Sequence, residues 1–284
     1  MTMTLSTSDC APYPDASSFH AFETDPEVMS NAPVNREYRL LTLAAPDHVL
    51  ALCRPGQFFH LLCPALQEEA PFLRRPMSIY GIHRDRGALS FLYKVTGSGT
   101  RSLARLTRGD RLNVLGPLGN GFIIQPSWKN LLLVARGVGL ATLAPLAREA
   151  DSLGCKMTAV CSARSEEMLM SLDLFRQYGA RVSTVTDSAG TSDPAAMRAM
   201  LVPLFARGGI DAVYTCGSNR LLLLLQELAQ DHCVPGQVAM EQQMACGLGM
   251  CQCCVRSFRT ADGTIQKRVC REGPVFDMAE AVGW

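Results

Sequence analysis

Short apolar runs separated by turn residues characterise the chain between residues 36 and about 115. Gly, Pro or Asp stands between the runs, and this spacing is typical of short strands joined by tight turns. The predicted strands are 38–43, 57–63, 76–82, 89–95 and 111–115, and one helix is predicted over 100–106. The pattern therefore predicts a small antiparallel barrel.

From residue 130 the hydrophobic pattern changes, because continuous apolar runs now alternate with segments whose apolar positions repeat at helical spacing. Strands are predicted at 131–135, 157–161, 182–186 and 212–216, and helices at 140–150, 166–178, 194–205 and 219–229. Such alternation implies right-handed crossovers and a parallel sheet that is covered on both faces. The fold class is therefore β plus α/β, a barrel followed by a Rossmann-like nucleotide domain.

The balance of charge excludes two classes of partner. The chain has 27 Lys and Arg against 26 Asp and Glu and contains no basic block, so we expect neither nucleic-acid nor membrane-surface binding. Its longest apolar runs, 131–135 and 221–225, are far shorter than the roughly 20 residues that cross a bilayer. Residues 1–20 lack the basic and apolar regions of a secretory signal. We therefore expect a cytoplasmic protein with reduced thiols.

Twelve cysteines are many for this length, and they cluster near the C-terminus. Cys246, Cys251 and Cys254 have the spacing C-x4-C-x2-C, and Cys270 follows at a distance, which is the plant-type 2Fe-2S arrangement. The alternatives are a zinc site with four cysteines, which usually uses two close C-x2-C pairs, and a redox pair of Cys251 and Cys254. Cys253 is the ambiguous neighbour, since the spacing selects Cys254 instead.

A second group of residues in the barrel predicts a flavin site. Its members are Arg75, Pro76, Met77, Ser78, Leu92, Tyr93, Lys94, Gly99 and Thr100. Arg75 offers a forked cation to a pyrophosphate, the helix start at Gly99 and Thr100 offers backbone N–H groups, and Ser78 offers a hydroxyl to the isoalloxazine edge. Taken singly, each piece is better explained as an arginine before a strand or as an ordinary helix cap.

A third group predicts a nicotinamide site, NAD or NADP, at the edge of the parallel sheet. Gly137 and Gly139 form a Gly-x-Gly turn between a strand and a helix, where α/β sheets bind nucleotide phosphates, although the third glycine of the dinucleotide pattern is absent. Cys216 and Gly217 end a later strand at the same edge. The alternative for Cys216 is a small buried core residue. Arg164 is placed to meet a ribose or a 2′-phosphate.

With these three groups in order along one chain, the sequence resembles the electron-transfer subunit of bacterial dihydroorotate dehydrogenase type B, a branch of the ferredoxin reductase-like flavoproteins. The resemblance runs from about Asn35 to Asp277. Its most specific pieces are the runs 74–78, 116–122, 214–217 and 244–247. Glu241 also matches a family position. The nucleotide turn departs from the family pattern, since Arg136 precedes it and its proline is delayed to Pro145.

The chain divides into four predicted parts. Residues 1–33 are rich in Ser, Thr, Asp, Ala and Pro and show no hydrophobic period, which predicts a flexible tail. The resemblance implies an FAD-binding barrel at 34–126, an NAD(P)-binding domain at 127–234 and a 2Fe-2S lobe at 235–284. It also implies that the barrel residues named above hold FAD, that the four cysteines hold the cluster, and that a catalytic redox subunit containing FMN is the partner in a hetero-oligomer.

A nicotinamide exchanges hydride and the cluster exchanges single electrons, so a flavin must stand between them. We therefore expect electron transfer between a nicotinamide and a partner enzyme, with no side chain acting as a general acid or base. The resemblance implies the NAD-dependent dihydroorotate dehydrogenase system and pyrimidine biosynthesis. The alternative enzyme is an NAD(P)H-dependent reductase component for an oxygenase, a demethylase or a ferredoxin-linked enzyme. A third, non-enzymatic hypothesis is a zinc-stabilised binding or regulatory protein.

Overall fold

The computed structural model describes residues 20–65 and 70–283. Its N-terminal part consists of two four-stranded antiparallel sheets. One sheet has the order β1 (Phe22–Thr24), β8 (Val114–Leu118), β4 (Phe58–Leu61), β5 (Arg75–Ser78). The other has the order β2 (Val28–Pro33), β3 (Tyr38–Ala44), β7 (Ala88–Lys94), β6 (Gly81–His83). Two short helices, α1 (Asp47–Leu52) and α2 (Ser98–Leu103), complete the predicted barrel.

The barrel begins earlier in the sequence than expected. The predicted tail at 1–33 does not hold for residues 22–33, because these form β1 and β2 and pair with β8 and β3. Both are edge strands of their sheets, and most of their side chains are exposed or half-buried, so they need no alternation of apolar and polar residues. The rest of the predicted tail, residues 1–19, lies outside the described residues.

The second part is a six-stranded sheet, which confirms the predicted α/β fold. Its order is β11 (Arg181–Thr186), β10 (Lys156–Ala163), β9 (Asn130–Arg136), β12 (Ala212–Cys216), β13 (Gly236–Ala239), β16 (Val275–Asp277). The first five strands are parallel and β16 is antiparallel to β13. The helices are α3 (Gly139–Ser152), α4 (Leu172–Gln177), α5 (Pro194–Ala206) and α6 (Asn219–Asp231). Apolar residues form separate cores on the two faces of the sheet.

The helix predicted over 166–178 is interrupted. A 3-10 turn covers Glu166–Met168, and α4 starts only after Ser171, whose φ is 64°. Met168, the last residue of the 3-10 turn, and Met170, between this turn and α4, are buried in one apolar cluster with Tyr38 of the barrel. These two methionines therefore pack on the barrel, whereas in a continuous helix they would face the parallel sheet.

The cysteine-rich lobe is inserted between the last two strands of the sheet. It contains the hairpin of β14 (Val255–Thr260) and β15 (Gly263–Arg268), and it leaves the sheet at β13 and returns at β16. The boundary placed at residue 235 therefore assigns two strands of the nucleotide sheet to the lobe. Phe258 and Val269 of the lobe join the core on one sheet face. Among the described residues, no helix is both long and apolar enough to span a membrane.

Candidate functional site

A cavity of about 920 Å³ lies where the barrel, the first turns of α3 and the segment after β13 meet. Eight of the nine predicted flavin residues line it, and they are Arg75, Pro76, Met77, Ser78, Leu92, Tyr93, Lys94 and Thr100. Val138, Ala141 and Thr142 of the nucleotide domain form the opposite wall. The cavity is therefore built from both parts of the chain.

The predicted residue that does not line this cavity, Gly99, supports one that does. A Cβ added at Gly99 would come within 2.8 Å of Nε of Arg75, so the glycine leaves the space that the guanidinium occupies. The hydroxyl of Thr100 accepts hydrogen bonds from the backbone N–H groups of Thr96 at 2.8 Å and Gly97 at 3.1 Å. Thr100 therefore closes the turn after β7, and Gly99 in this turn leaves room for Arg75, the residue that the sequence assigns to the pyrophosphate.

Tyr93 and Lys94 face the cavity in different ways. The side chain of Tyr93 is buried in the barrel core, where its hydroxyl donates to Oδ1 of Asn31 at 3.0 Å, and burial raises its pKa. Its contribution to a ligand is therefore its main chain. Lys94 lies at the cavity edge and forms an ion pair of 2.6 Å with Glu37, whose pKa is lowered first by the hydrogen bond from this lysine.

A smaller cavity of about 260 Å³ adjoins the first at the carboxyl ends of the parallel strands. Gly137, at the end of β9, and Gly217, at the end of β12, line it as predicted, together with Arg164 after β10. This edge is where nucleotides bind in open α/β sheets. The two cavities share Lys94, Val138 and Glu241.

The other two predicted nucleotide residues lie behind these cavities. A Cβ on Gly139 would lie 2.4 Å from the carbonyl oxygen of Cys216, so the glycine allows α3 to pack directly on the end of β12. The thiol of Cys216 is buried and hydrogen-bonded to Thr142, and burial raises its pKa. Cys216 is thus a neutral core thiol, separated from the flavin cavity by Thr142.

The arginines at the nucleotide edge are paired with carboxylates. Arg136 donates to Asp187 at 2.6 Å and to the Ser162 hydroxyl at 2.9 Å. Arg164 donates to both oxygens of Glu37, at 2.8 and 3.1 Å. Glu37 belongs to the barrel and Arg164 to the nucleotide domain, so this pair joins the two parts of the chain beside the smaller cavity.

The four predicted cluster ligands come together as two neighbouring pairs. The thiols of Cys246 and Cys251 hydrogen bond each other, and so do those of Cys254 and Cys270. Burial raises the pKa of Cys270, with smaller contributions from Cys254 and Cys246, so the two pairs are close enough to interact. Within residues 20–65 and 70–283 no three His, Cys, Asp or Glu could together hold a single metal ion, so the two pairs would each supply two ligands to a separate metal atom.

Backbone N–H groups of the loop surround the first thiol. Burial alone would raise the pKa of Cys246, but hydrogen bonds from the amides of Cys251, Leu248 and Met250 bring it to about 6. The Leu248 amide lies 3.3 Å from Sγ of Cys246. Gly247 and Gly249 have φ of 72° and 82°, values that favour glycine and that turn the loop around this sulfur.

These features fit a 2Fe-2S cluster. Four thiolates in two pairs match a dinuclear centre in which each iron takes two cysteines, and amides directed at sulfur stabilise the negative charge. Cys253 does not take part in either pair, since it is exposed and its thiol faces the carbonyl of Gln243 at 3.8 Å. The structure thus brings together the four cysteines that the spacing selects.

Glu241 has a position that the sequence did not explain. It follows β13 and lines both cavities, and the protein walls around its carboxyl desolvate it and raise its pKa, although the side chain remains accessible from the cavity. Besides its match to a family position, its sequence signal is its place just beyond the carboxyl end of a parallel strand. Lys94 and Val138, which line both cavities together with Glu241, are far from it in the sequence, so no local motif connects the three residues.

An antiparallel barrel, a parallel nucleotide sheet and a cavity between them define a ferredoxin reductase-like flavoprotein. The structure of the NADH-dependent reduced ferredoxin-NADP oxidoreductase superposes with a TM-score of 0.76 and 26% identity, covering 91% of this chain and 90% of that one. The ferredoxin reductase of carbazole 1,9a-dioxygenase shares the fold at 18% identity, with a TM-score of 0.60, 77% of this chain and 68% of that one.

Sequence relatives identify the branch. The electron transfer subunit of dihydroorotate dehydrogenase B (NAD(+)) from Desulforamulus reducens is 32% identical over 238 residues, which cover 84% of this chain and 90% of the relative. Its counterpart from Caldanaerobacter subterraneus is 35% identical over 222 residues, 78% and 84% of the two chains. Residues 241–282 match the iron-sulfur cluster binding domain of dihydroorotate dehydrogenase B. The chain belongs to the family of dihydroorotate dehydrogenase B electron transfer subunits.

Proposed function

We propose that this chain passes electrons between a nicotinamide cofactor and a partner redox enzyme through FAD and a 2Fe-2S cluster, in the NAD-dependent dihydroorotate dehydrogenase system. One observation carries the proposal. Residues 240–244 line the flavin cavity, Glu241 among them also lines the nucleotide cavity, and the same segment runs directly into Cys246. A single stretch of backbone therefore connects the three cofactor sites.

Each cofactor is bound by residues whose chemistry suits it. Arg75 supplies the cation for the FAD pyrophosphate, Ser78 supplies a hydroxyl to the isoalloxazine, and the Gly99-Thr100 turn keeps Arg75 in place. Gly137 and Gly217 leave room for the nicotinamide nucleotide. When bound, FAD supplies both hydride and one-electron chemistry, so the two kinds of carrier can be linked. Cys246, Cys251, Cys254 and Cys270 hold the cluster.

The exposed side of the cluster loop is the proposed docking site of the catalytic partner, an FMN-containing subunit. Met250 is 81% exposed and Cys251 is also exposed, whereas Cys254 and Cys270 are buried. Electrons that enter or leave the cluster therefore have their shortest path through this face. We place the complex in the cytoplasm, a reducing compartment in which cysteines are available as thiolate ligands.

The test is reconstitution with a dihydroorotate-oxidising flavoprotein subunit. The anaerobically purified chain should show flavin and iron-sulfur absorption bands, and both should bleach when NADH is added. Together with the partner it should couple dihydroorotate oxidation to NAD reduction. Flavin bands without cluster bands, or a complete system with no coupled reduction, would contradict the proposal.

A reductase for another enzyme is the second candidate, and the similarity over 91% of the chain to the NADH-dependent reduced ferredoxin-NADP oxidoreductase favours it. It predicts fast NADH- or NADPH-driven reduction of ferredoxin-like acceptors in the absence of a dihydroorotate-oxidising subunit. Measuring both rates with the same preparation decides between the two candidates.

A further inference from the structure

His60 is a buried histidine of β4 whose side chain has no exposed surface. Neither Nδ1 nor Nε2 has a hydrogen-bond partner among the residues that the structure describes. Burying an unpaired polar group is costly, so nearly all such groups in proteins are satisfied by protein, water or ligand. The ring of His60 therefore points to a partner that is not part of the polypeptide.

The ring packs against the loop that carries the first cluster cysteine. A Cβ added at Gly247 would lie 2.8 Å from Cε1 of His60 and 3.0 Å from each ring nitrogen. Gly247 directly follows Cys246, so the unpaired nitrogens face the cluster loop at its first ligand. The glycine allows this approach, because any larger residue there would meet the imidazole.

The flavin is a poorer candidate for the partner. His60 pairs across the sheet with Pro76, and its ring lies 5.7 Å from that of Phe58; both of these residues line the flavin cavity. His60 itself does not line that cavity. It therefore lies in the wall between the flavin cavity and the cluster loop, and its free nitrogens lie on the loop side.

On the basis of the proposed function, we propose that His60 is a positioning residue for the 2Fe-2S cluster, whose ring N–H donates a hydrogen bond to a cluster sulfur on the Cys246 side. Burial lowers the pKa of this histidine to about 4, so near neutral pH the ring is uncharged and carries one N–H. Hydrogen bonds to the sulfurs of such clusters help to set their reduction potentials.

The direction of the effect follows from charge. Reduction adds an electron to the cluster, and a hydrogen-bond donor stabilises the added negative charge. Removing the donor should therefore favour the oxidised cluster. We expect the ratio of reduced to oxidised cluster to fall about tenfold at fixed potential when the donor is removed, a shift of about 59 mV for one electron.

The experiment compares three variants of the FAD- and cluster-loaded protein by potentiometric titration, with the reduced cluster followed by electron paramagnetic resonance. His60→Phe keeps an aromatic ring but has no hydrogen-bond donor. It should lower the midpoint potential of the cluster by about 59 mV, which corresponds to the tenfold change in the ratio of reduced to oxidised cluster. His60→Gln offers an amide donor and should recover at least half of the loss. His83→Phe alters another histidine of the barrel, which hydrogen bonds Ser90, and should leave the midpoint unchanged.

A second measurement needs no variant. Wild-type protein labelled with 15N only in histidine should show a 15N coupling to the reduced cluster in pulsed electron paramagnetic resonance, and the coupling should persist in His83→Phe. The assignment would be overturned if His60→Phe changed the ratio of reduced to oxidised cluster at fixed potential by less than threefold. A change in the flavin potential alone, or no histidine coupling in the wild type, would also overturn it. Absence of any cluster signal in wild-type protein would instead contradict the proposed function.

Discussion

Cys253 and Cys254 are adjacent in the chain, yet their sulfurs lie in different environments. Cys254 is buried, shares a hydrogen bond with Cys270 and accepts the Cys270 amide at 3.4 Å. Cys253 is exposed and directed toward Gln243. The positive φ of Gln252, 60°, turns the backbone immediately before this pair. Backbone conformation therefore decides which of the two neighbouring thiols lies with the other proposed ligands.

This difference predicts opposite results for two identical substitutions. Cys253→Ser should keep the full iron and sulfide content and the cluster absorption bands, because it changes an exposed side chain outside both thiol pairs. Cys254→Ser should lose at least nine-tenths of the cluster, since it removes one of four ligands. Iron and acid-labile sulfide analysis of the two purified variants checks this, and the reverse result would contradict the ligand assignment.

At the scale of elements, the turn between β7 and α2 controls the wall of the flavin cavity. Thr100 closes the turn through its hydroxyl, and Gly99 then faces the guanidinium of Arg75 on β5. The contact links elements that are not neighbours in the barrel. A substitution here should affect FAD binding and not the stability of the fold. A clash at Gly99 would displace the end of the Arg75 side chain and leave the sheets in place.

Gly99→Ala should therefore weaken FAD binding without destabilising the fold. The new Cβ would lie 2.8 Å from Nε of Arg75, so the guanidinium must move, and we expect the Kd for FAD to rise about tenfold, or about 1.4 kcal/mol. The unfolding free energy of the apoprotein should change by less than about 1 kcal/mol, because alanine favours helix.

The matched control is Gly97→Ala, two residues away, where a Cβ would have no atom of the described residues within 4 Å. Its FAD affinity should equal that of the wild type. Isothermal titration with FAD and urea denaturation of both variants decide the matter. Equal affinities in the two variants would show that Arg75 is not held by this contact.

Elements with a strong internal pattern were predictable from sequence, and elements defined by their neighbours were not. The strand β9 and helix α3 carry continuous apolar runs that specify a buried strand and a packed helix on their own. β1 and β2 are edge strands whose pairing partners lie far along the chain. Nothing within their own sequences distinguishes them from a polar tail.

At the scale of the whole molecule, the same distinction governs the site. The proposed cluster ligands could be selected from the sequence because three of them lie in one loop at fixed spacing. The junction of the two cavities was not, because Lys94 and Glu241 meet only when the barrel packs on the carboxyl edge of the sheet. The role of His60 likewise depends on the approach of Gly247, which is remote in sequence.

The packing of the barrel on the nucleotide domain also predicts a pH dependence of stability. His83, on β6, lines a cavity between the two parts together with Arg148 of α3. Burial, aided by Arg86 and Arg148, lowers its pKa from 6.5 to about 4. Between these values the unfolded chain binds a proton that the folded chain does not, so stability falls as the pH decreases below about 6.5 and levels off near 4.

His83→Gln should reduce this acid sensitivity. Between pH 7 and pH 5 the unfolding free energy of the wild type should fall by about 1 to 2 kcal/mol more than that of the variant, at about 1.4 kcal/mol per pH unit. Urea denaturation at both pH values, with equal cofactor loading, measures the difference. Parallel pH profiles for the two proteins would show that His83 titrates normally in the folded state.

The chain leaves the nucleotide sheet at β13 and returns to it at β16, and this arrangement determines what would happen if the iron-sulfur lobe were removed. Ala239 of β13 and Val275 of β16 are direct partners, so the lobe leaves and re-enters the sheet at adjacent points. The whole iron-sulfur lobe is in effect a long hairpin loop, and a short turn could close the same two strands. Such a turn would keep the order of the strands, but it would remove Phe258 and Val269 from the core and residues 240–244 from the wall of the flavin cavity. The lobe that carries one-electron chemistry is therefore also a structural part of the flavoprotein.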